Sequence, residues 1–268
     1  MTSQVNQKYI HSFVICAFQE SKFLEESIKS CIDQFSVKQN KSTIILYTST
    51  PNNYIKLLAD KYKIDYFSGD GGTIGKDWNR ALSFVDTKLA TIVHQDDIYL
   101  PIYGSEMIDY FNSNKSLNIV FSDYEECDSK SIPRKRNINL KIKRFFLKIM
   151  SLSNNKFYQR RIYALGNFIC CPAVTYNMER LKDFRFNENL KMTLDWDAWE
   201  RIMNMPGNIA FIDKKLMFHR IHEGSETTVN TKNKLREEEE CMMYKRYWGK
   251  SIAKFLMKFY VLNQRTNQ

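Results

Sequence analysis

The sequence predicts an α/β protein: a mostly parallel central sheet flanked by helices, with a helical C-terminal extension. Three observations carry that class. Short apolar, β-branched runs alternate with amphipathic stretches through the first third of the chain, in β-α-β-α-β-α-β order, which predicts parallel pairing with right-handed crossovers. The fourth run, Leu89–Val93, ends in the adjacent carboxylates Asp96 and Asp97, at the strand edge where open α/β sheets bind ligands. From about Asn230 the pattern stays helical to the end.

Each element follows from its residues. Ser12–Ala17 is a first buried strand, short, apolar and free of Gly and Pro. Ser21 is placed to cap the next helix, whose inward face is Phe23, Leu24, Ile28, Cys31, Ile32 and Phe35. Ser42–Tyr47 is the second strand. Pro51 and two asparagines open another helix, continued by Ile55, Leu58, Ala59 and Tyr62. Ile64–Phe67 is a short third strand. Ser68–Gly75 is the Gly-rich stretch, and Asp77–Val85 the helix after it. Beyond Asp97, Pro101 starts a helix through Ile108 and Phe111. Leu117–Phe121 is a strand, Phe168–Tyr176 a strand interrupted by Pro172, Trp196–Met203 a helix and Ile209–Ile212 a short strand. With no repeat and no linker, the expected organisation is one catalytic domain over 1–229 and a helical extension over 230–268.

The composition excludes several classes. There is no apolar run of about 18 residues, so no transmembrane helix is expected. Met1–His11 is polar and lacks a secretory core. Six cysteines show no metal-type spacing and are expected as reduced thiols of a cytoplasmic protein. The net charge of +10 is concentrated: Pro133–Arg161 holds ten basic residues and no acid. A local field of that kind implies an anionic partner near this segment.

Two carboxylates at a strand edge repel each other unless donors or a cation compensate, and a hard divalent metal with a phosphate ligand is one solution. A solvated turn is the plainer alternative. The surrounding motifs favour the first. Ser12–Glu20, Asp77-Trp-Asn-Arg-Ala-Leu82, His94-Gln-Asp-Asp97, Leu194-Asp-Trp-Asp-Ala-Trp-Glu-Arg201 and His219-Arg-Ile-His-Glu-Gly-Ser225 occur in an order that resembles family 2 glycosyltransferases. These are nucleotide-sugar-dependent enzymes with a GT-A (Rossmann-like) fold. The resemblance covers roughly residues 10 to 228.

The resemblance implies an inverting transfer from a nucleoside-diphosphate sugar to a saccharide or lipid-linked saccharide, in surface-polysaccharide biosynthesis. It implies Mn²⁺ or Mg²⁺, with Asp97 and His222 as metal ligands and Asp96 on the ribose or supporting the site. Ala17, Phe18, Glu20, Thr48, Asn79, Arg80 and Arg220 fall at positions expected to contact the donor, Arg220 through a guanidinium fork suited to phosphate. Asp195 is the candidate general base, with Asp197 its rival; Asp195 also fits a helix cap, a role compatible with catalysis. The chain departs from the family twice. Gln95 stands where an Asp is usual, and the second strand ends Tyr47-Thr-Ser-Thr50, without the usual acids for reading a nucleobase.

Two amphipathic segments remain. Ile138, Ile142, Phe145, Phe146, Ile149 and Met150 mark one helical face beside Lys141, Lys143, Arg144 and Lys148. Tyr244, Tyr247, Trp248, Ile252, Phe255, Leu256 and Phe259 form a second stripe. Either packs on the core or touches an anionic membrane, through 133–161 and 242–262, at the inner face of the plasma membrane. A non-catalytic nucleic-acid-binding protein is a competing class, disfavoured because the basic residues are localised and no nucleic-acid module is present. A metal-dependent nucleotidyltransferase would share the carboxylates and would release pyrophosphate.

Overall fold

The computed structural model of the chain describes residues 9–135, 138–223 and 234–265, with side chains up to 257. Arg136, Ser225, the side chains of Lys258 and Phe259, and the expected boundary at 229/230 lie outside these residues. The first half is the expected alternation: β1 (His11–Ala17), α1 (Leu24–Ile32), α2 (Phe35–Lys38), β2 (Ser42–Thr48), α3 (Asn53–Tyr62), β3 (Asp65–Ser68), α4 (Ile74–Leu82) and β4 (Leu89–His94). Then come β5 (Ile98–Tyr99), α5 (Tyr103–Ser113), β6 (Leu117–Cys127), α6 (Ile138–Ser151), α7 (Lys156–Tyr163), β7 (Val174–Asn177), α8 (Leu194–Asn204) and β8 (Asn208–Arg220). A last helix, α9 (Lys234–Arg265), is kinked at Gly249, whose φ of 73° is open to glycine at little cost.

The eight strands form one sheet in the order β3-β2-β1-β4-β7-β6-β8-β5. β1 pairs in parallel with β2 and β4, β2 with β3, and β6 with β8. β7 is the antiparallel joint between β4 and β6, and β5 pairs antiparallel with β8. The mostly parallel expectation holds, since among the described residues only β5 and β7 run against the rest. Alternate residues of β1 serve opposite faces: Phe13, Ile15 and Ala17 pack with α1, α3 and α5, while Val14 faces Tyr47, Ala81 and Ala90. On that second face a larger cluster gathers Trp78, Phe121, Tyr163, Trp196 and Trp199 with Met243, Tyr244, Tyr247 and Ala253 of α9.

Several boundaries moved for physical reasons. Ser21 does not cap α1 with its side chain; the cap is Phe23, and Ser21 accepts from the Phe23 amide instead. Asn52 and Thr73 are working caps, accepting from the Ile55 and Lys76 amides. α4 therefore starts inside the Gly-rich stretch. Gly75 lies in its first turn, where a Cβ would press within 3.0 Å of the Asn187 carbonyl oxygen and Glu188 Cα. Pro172 falls in a 3₁₀ turn, Cys171–Ala173, so the strand starts only at Val174. β6 and β8 run far longer than their apolar centres, pairing to Cys127 and Arg220 through register shifts around Asp123.

Candidate active site

β4 and β8 end side by side and bring the acidic turn against the His-Arg-His motif. Asp97 is fully buried. Its Oδ1 accepts from the Arg220 amide and lies 3.0 Å from His219 Nδ1. Burial alone would push this carboxyl up, but the adjacent His219 charge and bond, His94 and the Arg220 amide hold it below the usual range. His219 answers in kind: burial lowers its pKa, yet the Asp97 charge carries it above that of an ordinary histidine. Asp96 Oδ2 sits 2.9 Å from His222 Nε2, whose ring packs on Phe23.

The other Asp97 oxygen, Oδ2, is buried with no hydrogen-bond partner, as is His94 Nε2. His94, Asp96 and Asp97 can bring ligand atoms within 4.8 Å of one another. An orphaned carboxylate oxygen beside a second acid and an imidazole fits a hard divalent ion such as Mn²⁺ or Mg²⁺. The sequence named Asp97 and His222 as ligands; the structure groups His94 with the acids and bonds His222 to Asp96. His94 was missed because it ends an apolar strand run, stacked on Trp78.

Arg220 does not present a free fork. It is fully buried and stacked on Phe23. Its guanidinium donates to the Asp96 carbonyl, the Asp128 carbonyl, the Ser131 hydroxyl and Glu26 Oε2. This geometry corrects the expected phosphate contact: the residue is a post behind the acidic turn. Gln95 also has a defined task. Its Oε1 accepts from the Phe18 amide at 2.9 Å and its Nε2 donates to the Phe18 carbonyl at 3.1 Å. Only an amide side chain makes both bonds; a carboxylate could make one.

The other expected donor contacts scatter around this edge. Ala17 is buried at the end of β1, while Phe18 and Glu20 are exposed beyond it. Gln19 between them has φ 54° and donates to Thr50 Oγ1. Thr48 is buried and bonds Thr50, so it supports that loop from below. Arg80 lies over Phe84 and along Gly69. Asn79 points elsewhere: it exchanges bonds with both polar groups of the Phe186 backbone and donates to Glu188, clamping the segment ahead of α8.

Asp195 stands at the start of α8, half-buried. Its Oδ2 accepts from Asn167 Nδ2 at 2.7 Å and its Oδ1 from the Trp196 amide. Asn167 is in turn held by the Tyr163 hydroxyl. Burial raises the Asp195 pKa above the ordinary carboxylate value, against these bonds and the charge of Lys143. The Cys170 thiol is pushed up by burial first and then by the charges of Asp97 and Asp195. Lys143 of α6 acts on Asp195, His219 and Cys170 alike.

Asp197 is different. It is buried and paired with Arg201 at 2.8 Å and Arg246 at 2.5 Å, which makes it a clamp between α8 and α9. Glu239 of α9 was also invisible in the sequence. Its buried carboxylate accepts from the amides of Lys191, Met192 and Thr193 and from the Thr193 hydroxyl, fixing the approach to α8. Part of the basic segment is structural as well: Arg144 and Lys148 pair with Asp213, Arg144 also with Asp123, and Arg160 with Glu200. Lys156 reaches the Met205 carbonyl and Arg161 stacks on Phe157 and Trp248.

A mostly parallel sheet whose carboxyl edge carries an acidic turn, followed by a half-buried aspartate at the start of a later helix, defines a GT-A glycosyltransferase architecture. The glycosyl transferase family 2 model matches residues 12–211, and the chain belongs to that family. An uncharacterized glycosyltransferase of Methanocaldococcus jannaschii is 26% identical over 223 residues, 80% of this chain and 71% of that protein. One of Rickettsia typhi is 24% identical over 232 residues, covering 85% and 69%. Among solved structures, S. aureus TarS in complex with UDP-GlcNAc superposes with TM-score 0.65 at 16% identity, over 87% of this chain and 65% of that one. The mannosyltransferase PcManGT from Pyrobaculum calidifontis, in complex with GDP-Man and Mn²⁺, gives 0.62 at 9%, over 88% and 63%. The chain thus spans just under two thirds of those two structures, and the likeness shows the GT-A fold. All six cysteines are free, and no helix among the described residues is long and apolar enough to cross a membrane.

Proposed function

We propose that the protein moves a sugar from a nucleoside-diphosphate sugar to a hydroxyl of a saccharide or lipid-linked saccharide, with inversion, in surface-polysaccharide biosynthesis. The observation that carries this is Asp195: a half-buried carboxylate at the start of α8, held by Asn167 and the Trp196 amide, with its pKa raised by burial. In direct displacement the acceptor hydroxyl gives its proton to Asp195, the acceptor oxygen bonds the anomeric carbon, and the bond from that carbon to the diphosphate breaks. The nucleoside diphosphate leaves with the electron pair. Attack from the side opposite the leaving group inverts the anomeric centre.

The chain's residues divide the work. Asn167, itself held by Tyr163, aims Asp195. Arg220 and Gln95 hold the acidic turn, and the Phe18–Glu20 loop and Thr48–Thr50 line the donor side. Asp97, Asp96 and His94, with His222 beside them, would hold Mn²⁺ or Mg²⁺, which supplies positive charge against the departing diphosphate. UDP-GlcNAc and GDP-Man in the two neighbouring structures support a nucleotide-sugar donor for this chain.

The test is a donor panel of uridine, guanosine and thymidine diphosphate sugars with Mn²⁺ or Mg²⁺, read as release of nucleoside diphosphate. Asp195→Asn is expected to lower turnover by about 10²–10⁴ while donor binding persists, the range for losing a general base. Unchanged transfer in Asp195→Asn, or release of pyrophosphate, overturns the assignment.

A further inference from the structure

We infer that the outer face of α6 is a docking surface for an anionic lipid bilayer. The sequence treated the apolar residues of this helix as one face. The structure splits them into two. Leu140, Leu147 and Met150 are buried in the core, with Phe146 packed beside them. Ile138, Ile142 and Phe145 point the other way and are 62%, 45% and 60% exposed. They are spaced four and three residues apart, so they share one stripe, which Leu152, 78% exposed, extends beyond the helix end. Phe157 at the start of α7 adds another exposed ring. A helix apolar on two opposite faces, with only one of them on the core, leaves its second face for another low-dielectric phase.

Charge selects the occupant. Helix α6 holds Lys141, Lys143, Arg144 and Lys148 and no acid. Lys141 and Lys148 flank the exposed stripe along one edge and are themselves exposed, Lys148 while paired with Asp213. Pro133–Arg161 holds ten basic residues and no acid, and among its described residues Arg144, Lys148 and Arg160 pair with Asp123, Asp213 and Glu200, while Arg134, Lys135 and Lys141 are exposed. A second copy docking through the same patch would bring two basic faces together, because a two-fold interface is self-complementary. A surface of anionic headgroups satisfies both the stripe and its lysines, as interfacial amphipathic helices do.

The experiment uses the full chain in vesicle flotation, with phosphatidylcholine alone or mixed with phosphatidylglycerol. Binding to the mixed vesicles is expected to exceed that to neutral ones by about tenfold and to weaken as salt rises. Ile142→Ser with Phe145→Ser should lower it by about tenfold, since both side chains contribute only buried apolar area. Lys141→Glu should remove the preference for phosphatidylglycerol. Leu57→Ser, an exposed apolar residue on α3, should bind like the parent chain. The Ile142/Phe145 variant should hydrolyse sugar nucleotide at the parent rate, which separates failure of docking from failure of the transfer reading. Equal binding by parent and variant, or no preference for the anionic vesicles, overturns the inference. So does a dimer in light scattering that the double variant abolishes while vesicle binding is absent.

Discussion

Glu239→Gln tests whether α9 positions the candidate base. The buried carboxylate accepts four bonds at 2.8–3.2 Å from Lys191, Met192 and Thr193. Three of them end on Oε2 and one on Oε1. In the glutamine the amide oxygen can keep the Oε2 place, but the NH₂ then faces the Lys191 amide, donor against donor. At the low end a bond to an ionised acceptor contributes about 1.5 kcal/mol and a neutral one about 1 kcal/mol. Losing one outright and weakening three by about 0.5 kcal/mol each costs about 3 kcal/mol. At about 2–4 °C per kcal/mol for a chain near this size, Tm falls by about 6–12 °C. The bonded segment ends two residues before Asp195, so its release displaces the carboxylate and lowers kcat by about tenfold. Donor KM stays put, because Glu239 touches neither the acidic turn nor the Phe18 loop. Calorimetry and transfer kinetics at saturating donor read both quantities. A variant that melts within about a degree of the parent and keeps its kcat refutes the reasoning.

Other consequences follow from the same geometry. Asp195 works as a base only when ionised, and burial raises its pKa, so kcat should fall with an acid limb above the ~4 of a free aspartate. A pH–rate profile with its limb at or below that value counts against Asp195. Asp197→Asn weakens the pairs of buried Asp197 with part-exposed Arg201 and Arg246 and should cost about 1–3 kcal/mol of stability by denaturant titration, with transfer chemistry retained. His11 is buried between Ser42 and Thr91, and burial drops its pKa from 6.5 to about 3. The unfolded chain binds that proton near 6.5 and the folded chain only near 3, so stability is complete above 6.5 and drains as pH falls toward 3. Urea midpoints measured across this window should decline, and His11→Asn should flatten the decline.

The first half of the sheet was legible because β1, β2 and β4 are buried on both faces and read as unbroken apolar runs. β8 was not. Its middle, Asp213-Lys214-Lys215, is exposed and charged, so the apolar signal stops at Ile212 although pairing continues to Arg220. At the site, residue types were legible and partners were not. Arg220 looked like a phosphate ligand because Glu26, which claims its guanidinium, lies 194 residues earlier. Asp195 and Asp197 were close rivals on paper; Arg246, 49 residues downstream, is what closes off Asp197. Glu239 sat in an acidic run that reads as a solvated face, and only the packing of α9 turns it inward. The α9 stripe was readable as apolar, and the structure assigns Tyr244 and Tyr247 to the core while leaving Ile252 and Phe255 exposed.

The Gln95 side chain grips the Phe18 backbone at both of its polar groups, so the loop after β1 and the turn after β4 are tied to each other. Mechanically this is a double-ended tie across the cleft mouth. Anything that shifts Phe18 on one bank tugs the carboxylates on the other, and an ion pulling on Asp96 or Asp97 tugs back. Thermodynamic linkage then requires the effect to be mutual: occupancy of either bank alters the affinity of the other by the same factor. An aspartate in place of Gln95 would add a ligand and cut one end of the tie. Gln95 gives up a third acid at this turn and gains two bonds to the loop after β1.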